Sequence, residues 1–244
     1  MSYCLGMLLD VGLVFMSDTR TNAGIDNIST FRKTFIFDAK EDRRIVILVA
    51  GNLAITQNVL SRLEERLEDD DVKTNIYSQV SMFDVARLVG ATLREVHGEE
   101  ADALKNHDVD FSASLIVGGQ IKGRRMRLFN IYSAGNFVEA TAETPYFQIG
   151  EAKYGKPIIE RVITPQLSIA EAVKCGLVSF NSTIRSNLSV GLPIDLTFIP
   201  RDNFEGMYHH LILEDDPYFN SLGDIWGQGL RDLFSTLPDP EWIR

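Results

Sequence analysis

Cysteine is scarce. Only Cys4 and Cys175 occur in 244 residues, a number and spacing that exclude a disulfide framework and a metal-finger pattern. The 8 prolines and 18 glycines gather into no linker-like stretch, and no internal repeat of solenoid length is present. Basic charge is also short. With Lys+Arg 24 against Asp+Glu 34 the formal net charge is −10, which argues against nucleic acid or an anionic membrane as partner. No apolar run reaches the roughly 20 residues of a membrane-spanning helix. The opening Met1-Ser2-Tyr3-Cys4 has no basic region of a signal peptide. Glu214-Asp215-Asp216 lacks histidine and EF-hand spacing, so it reads as a solvated loop. Gly118-Gly119 lacks the Lys-Ser/Thr of a phosphate loop. No metal and no cofactor are implied. What remains, 45% hydrophobic and 24% charged, is the ordinary globular balance. The expectation is an acidic, soluble, cytoplasmic protein whose core is large enough to need no covalent staple.

The pattern along the chain is mixed. Tyr3 to Leu9 and Leu13 to Met16 are apolar runs around Asp10-Val11-Gly12, a hairpin signal. With the turn near Val11, Ser2 falls opposite Asp18-Thr19-Arg20, so the start of the chain is pinned inside a sheet rather than frayed. Thr34 to Phe37 and Arg44 to Ala50 read as further strands, the second β-branched and continuous as in a strand covered on both faces. Lys33 precedes the first of them and Gly51 ends the second. Residues 52–68 carry a helical stripe of Leu53, Val59, Leu60, Leu63 and Leu67. Residues 81–96 carry another, with Ser81 as cap. Asp69-Asp70-Asp71 would end a charged helix in solvent.

Strands follow at Phe111 to Gln120, punctuated by Gly118-Gly119, then at Met126 to Tyr132 and Phe137 to Ala140. A helix is expected from about Tyr146, with Pro157 just inside a second turn. Ser168-Ile169-Ala170-Glu171 is a capping box opening a further helix. Ile194 to Ile199 and Tyr208 to Leu213 are late strands, and Asp224 to Phe234 a last helix. The order predicts an α+β fold, two antiparallel sheets between helix layers in one domain. Cys4 and Cys175 read as core.

Ser2 after the initiator, the hairpin, Ser17-Asp18-Thr19-Arg20 and Lys33 before a strand form an ordered set that resembles proteasome β-type subunits, which are N-terminal nucleophile hydrolases. Asp18-Thr19-Arg20-Thr21-Asn22-Ala23-Gly24, Ala50-Gly51-Asn52-Leu53-Ala54 and Arg185 through Asp195 are most similar to the bacterial branch called Anbu, the ancestral β subunit. The resemblance covers about residues 2–200 and implies a four-layer αββα sandwich. Residues 201–244 would be an extension packed on the same domain. It also implies a homo-oligomeric ring or open helical ring and a peptide or protein substrate, and it leaves an unidentified unfoldase open as a partner.

The chemistry gives each position a reason. A serine hydroxyl needs a base. On residue one of a mature chain its own α-amine, of pKa about 7.7–8.0 in model peptides, can serve once Met1 is gone. The four histidines sit in no triad-like context. Lys33 would supply a fixed positive charge, Asp18 would orient Lys33, and Arg20 would steady the same loop at the substrate site. Gly51 would offer a backbone N–H to the oxyanion. By the resemblance, Ser189 supports the amine, with Ser133 a weaker candidate for the other supporting place. By the same resemblance, Val49 and Leu53 would line the pocket for the side chain before the scissile bond. Ser186 stands where many proteasome subunits carry an aspartate, so the supporting network at the amine is altered. Against these stand bland readings: Ser2 as a residue that merely permits Met removal, Asp18–Lys33 as a structural ion pair, Gly51 as a plain turn. A small-molecule amidase or a non-proteolytic oligomeric scaffold on the same fold are the alternatives. In the scaffold reading Tyr218, Phe219, Trp226, Leu230, Phe234 and Trp242 form a docking surface; otherwise they fold back on the body.

Overall fold

A computed structural model describes residues 2–22, 28–39, 41–68, 73–105 and 111–243. Met1, Ala23, Gly24 and Asp69-Asp70-Asp71 lie outside the described residues. The chain begins with strands β1 (Tyr3–Leu9) and β2 (Gly12–Asp18), a short hairpin of β3 (Arg20–Asn22) and β4 (Ile28–Thr30), and strands β5 (Thr34–Ala39) and β6 (Arg43–Gly51). Helices α1 (Leu53–Glu65) and α2 (Met82–Lys105) follow, then β7 (Ala113–Ile121), β8 (Arg127–Ile131), β9 (Phe137–Glu139) and β10 (Tyr146–Gly150). Helices α3 (Lys156–Val162) and α4 (Ile169–Ser186), strands β11 (Ile194–Pro200) and β12 (Tyr208–Ile212), and helix α5 (Pro217–Ser235) complete it.

Two five-stranded antiparallel sheets, ordered β10-β1-β2-β11-β12 and β5-β6-β7-β8-β9, stack face to face. Side-chain alternation assigns the layers. In β6, Ile45, Ile47 and Val49 pack with α1 and α2, whereas Val46, Leu48 and Ala50 pack between the sheets. In β1, Tyr3, Leu5 and Met7 meet α3 and α4, while Cys4 faces the other sheet. Both runs are unbroken in sequence because both of their faces are buried. The result is the four-layer αββα sandwich.

The helix starts are set locally. Ser81 Oγ accepts from the Asp84 N–H at 3.2 Å and donates to its carboxylate at 2.6 Å. Ser168 and Glu171 cap each other reciprocally, as the sequence pattern predicts.

Three expectations are corrected. Tyr146 starts no helix: Tyr146–Gly150 is β10, paired with β1 from Met7↔Tyr146 to Tyr3↔Gly150. That edge pairing, not a local signal, decides its conformation. Gly118-Gly119 does not punctuate β7, which runs straight through. A Cβ on Gly118 would sit 2.8 Å from Phe15 of the facing sheet and 2.8 Å from Leu128 of the neighbouring strand β8, so close approach of the sheets explains that glycine. The last helix starts at Pro217, capped by Asp216 Oδ1 on the Phe219 N–H at 2.8 Å. Of the aromatics expected to fold back, Phe219 does and Trp226 is half-buried, but Tyr218, Phe234 and Trp242 stay exposed. Both cysteines are core.

Candidate active site

The start of the chain is held on both sides. β1 lies between β10 and β2, and Ser2 is 8% exposed. The Ser2 carbonyl accepts from the Glu151 N–H at 2.7 Å. Gly150 comes so near that a Cβ there would lie 1.9 Å from that oxygen, and its φ of +78° is in the region that favours glycine. Ser2 thus has a fixed backbone before any side chain acts.

Beside it, Asp18 at the end of β2 is fully buried. Its Oδ1 accepts from the Tyr3 N–H at 2.9 Å and from Lys33 Nζ at 2.7 Å. Its Oδ2 accepts a longer bond, 3.4 Å, from the Gly191 N–H. Burial pushes the Asp18 carboxyl above its ordinary value, while the Lys33 charge and these hydrogen bonds pull it back. Lys33, also buried, gives a second bond to the Arg20 carbonyl at 2.5 Å. Its segment is tied down by the Phe31 N–H on the Thr19 carbonyl at 2.9 Å and the Val49 N–H on the Lys33 carbonyl at 3.0 Å.

Gly51 has φ +105°, and a Cβ there would sit 2.1 Å from the Ser112 carbonyl. No L-residue fits there. Arg20 sends its guanidinium across Gly191, where a Cβ would come within 2.2 Å of Cζ. Arg20 also reaches the Leu188 carbonyl at 3.4 Å and the Glu214 carboxylate at 3.8 Å.

Ser189 lies two residues before Gly191, half-buried, its N–H on Asn187 Oδ1 at 2.9 Å. Ser133 donates to the Ala113 carbonyl at 2.9 Å, on the residue paired with Gly51. Val49 and Leu53 part company. Val49 is packed in the cluster beneath α1 and α2, and Leu53, the first residue of α1, is half-buried.

The structure therefore brings Ser2, Asp18, Lys33, Arg20 and the Ser189–Gly191 turn to one end of the first sheet. Gly150 and Gly191 were missed by sequence reasoning. Gly150 fell inside the misread helix, and Gly191, although within the Arg185 to Asp195 segment, was assigned no role of its own. Burial lifts the Cys4 thiol far above its ordinary value, so it has no nucleophilic character here. Among the described residues no group of acidic, histidine and cysteine side chains is arranged to hold a metal, and no helix is long and apolar enough to cross a membrane.

Comparison with known proteins agrees with this geometry. The family model described as "Proteasome subunit" matches residues 2–199. A curated relative, proteasome subunit beta 2 of Nitrosopumilus maritimus (strain SCM1), is 25% identical over 202 residues, 82% of this chain and 86% of that protein. Among solved structures, Anbu from Yersinia bercovieri is 48% identical with a TM-score of 0.89, covering 98% of this chain and 99% of that one. A Gly-1 mutant of Anbu from Hyphomicrobium sp. strain MC1 is 44% identical with a TM-score of 0.92, covering 99% and 100%. The Pseudomonas aeruginosa protein, described as a helical assembly of the Anbu complex, is 45% identical with a TM-score of 0.89, covering 98% of each chain. The chain belongs to the proteasome subunit family, as a bacterial β-subunit homologue of the Anbu type with the N-terminal nucleophile hydrolase fold.

Proposed function

We propose that this protein is an N-terminal serine hydrolase that cleaves peptide or amide bonds after loss of Met1. One observation carries the reading: a single buried carboxylate, Asp18, holds both the N–H of the residue following Ser2 and the Lys33 ammonium. In this reading the free α-amine of Ser2 takes the proton of its own hydroxyl, and the oxygen attacks the carbonyl carbon. An ammonium has three donors; two of Lys33's are taken by Asp18 and Arg20, and the third serves the Ser2 oxygen. The Lys33 charge favours the alkoxide-like state and lowers the hold of the amine on its proton. The Gly51 N–H receives the oxyanion, a contribution of about 3–4 kcal/mol to the barrier. Ser189 supports the amine. Arg20 fixes the loop at the substrate site, and Val49 and Leu53 shape the pocket, Leu53 from the more open position. Residues 201–244 act as an extension on the same domain.

We further propose that the protein self-associates into a homo-oligomeric ring or open helix in the cytoplasm. Support comes from the Pseudomonas aeruginosa relative, described as a helical assembly, and from α5. Leu222, Ile225, Trp226, Gly229, Leu230 and Leu233 form a helical stripe along an open groove of about 580 Å³ against α3 and α4.

The test is intact mass of the protein from its native host, before and after incubation with a peptide epoxyketone, a warhead that closes its ring only on a hydroxyl and an α-amine of the same residue. Loss of one methionine and gain of one adduct per chain, abolished in Ser2→Ala, is the expected result. Retained Met1 with no adduct overturns the hydrolase reading and favours the scaffold.

A further inference from the structure

A second buried carboxylate sits one strand beyond the first. Asp195 on β11 is paired across from Ser17 on β2, which in turn pairs with Cys4 on β1. Residues opposite one another in register share a face, and this is the face between the two sheets. Ile194 and Leu196, its neighbours in β11, point the other way into the helix-side core. Asp195 is 3% exposed. Burying a carboxylate there is costly unless it is paired, so its partners matter.

Its partners come from two separate places. Arg32 Nε, from the segment between β4 and β5, lies 3.9 Å from Oδ2. His209 Nε2, from β12, lies 2.8 Å from Oδ1; beyond that contact Oδ1 makes no hydrogen bond. The third titratable group near the carboxylate is the inert thiol of Cys4 from β1. Arg32 immediately precedes Lys33. In an extended segment successive side chains diverge, and here Lys33 goes to Asp18 while Arg32 goes toward Asp195. Close by, Ser17 Oγ and Thr34 Oγ1 share a hydrogen bond of 2.9 Å. The three residues Arg32, Lys33 and Thr34 thus meet Asp195, Asp18 and Ser17 in turn, Lys33 and Thr34 through hydrogen bonds and the largely exposed Arg32 through a longer ion pair.

We propose that Asp195 is a positioning residue for the nucleophile centre, holding Arg32 and thereby the segment that carries Lys33, with His209 of the 201–244 extension as its second anchor. This rests on the hydrolase reading, since the segment matters for chemistry only if Lys33 acts at Ser2. It gives the extension a task at the site: β12 delivers the imidazole that keeps Asp195 turned toward Arg32. Asp195 touches no reacting atom. It acts through Arg32 and the backbone that follows.

The experiment compares Asp195→Asn, His209→Ala and His209→Gln in the full-length protein, each with Ser2 intact and with Ser2→Ala. Two readouts are taken: amide exchange at Phe31 and Val49, and the pH profile of epoxyketone adduct formation. Glutamine keeps an N–H donor and alanine does not, so Gln should rescue what Ala loses. Asp195→Asn and His209→Ala should speed exchange at both amides in either Ser2 background. They should slow adduct formation roughly 10-fold to 10²-fold, the scale of a misplaced catalytic group. They should also move the alkaline rise of the profile to higher pH, because a Lys33 held less firmly lowers the amine's affinity for its proton less. Unchanged exchange at Phe31 and Val49 overturns the proposal. So does an unshifted profile in chains that do form adduct, because a merely structural ion pair would cost stability without moving it. Faster exchange with no adduct in any chain, wild type included, overturns the Ser2 reading and leaves Asp195 as the anchor of that segment. His209 is partly exposed, so its variants test the idea even if Asp195→Asn does not fold.

Discussion

The Ser2 end of the first sheet and helix α5 break the same rule in opposite directions. At the Ser2 end, charged groups are buried: Asp18 and Lys33 are withdrawn from water and matched to each other and to backbone groups. On α5, apolar groups are exposed: only Phe219 of its 19 residues is buried, while Ile225, Leu233 and Phe234 are 70%, 61% and 75% exposed. Each arrangement is unfavourable for an isolated stable fold. The two costs nevertheless have different remedies. Buried charge is satisfied within the chain, which in the proposed reading makes it a device for chemistry. Exposed apolar surface is satisfied only from outside the chain, which in the same reading makes it a device for association.

The largest effect should come from breaking the first region. Lys33→Ala leaves the Asp18 carboxylate buried without its counter-charge. The expected cost is about 3–5 kcal/mol of stability, read by chemical denaturation, together with a loss of adduct formation of about 10²–10⁴-fold. If stability falls but labelling is untouched, the pair is structural and the contrast collapses.

A middle-sized effect is expected on the second region. Ile225→Asp with Leu233→Asp places two charges on the groove face of α5. Sedimentation velocity should show smaller species, while the melting temperature of the protomer should change little, because neither residue is buried in the fold. A large fall in melting temperature with unchanged assembly would assign the stripe to the protomer core instead.

The smallest effect separates the regions by their cysteines. Cys4 is sealed between the sheets, whereas Cys175, on the wall of the α5 groove, is pushed up to about 11 by burial. Iodoacetamide at pH 8 should leave Cys4 untouched and modify Cys175 slowly, a few-fold faster in the α5 double variant. Mass spectrometry of the labelled peptides reads both.

The sequence made the first region far more legible than the second. The hairpin register follows from where the turn sits, so Ser2 beside the end of β2 was readable, and Asp18 with Lys33 came through the family resemblance, their residue types giving the pair its chemical reason. The continuous run Ile45 to Ala50 announced a strand buried on both faces. What could not be read depended on contacts distant in sequence. Tyr146 to Gly150 becomes a strand because β1 offers it an edge, and Gly150 matters because Ser2 lies against it. Asp195 looked like the end of a motif and acquires its meaning from His209 and Arg32, neither near it in the chain. In α5 the helix and its aromatics were visible in the letters, but whether they face a core or a groove is decided by how much of the body lies opposite.

The seat of Ser2 has a practical consequence. Because its carbonyl is clasped by Glu151 and crowded by Gly150, Ser2 has little freedom to move away from Asp18 and Lys33. If Ser2 acts as proposed, anything fused upstream, a purification tag or a leader, would be a lock on the site rather than a passive appendage. Trimming it to the serine would then be the event that arms the molecule. Such a fusion, built with a specific protease site, would be a switch on which every assay of this protein could be timed.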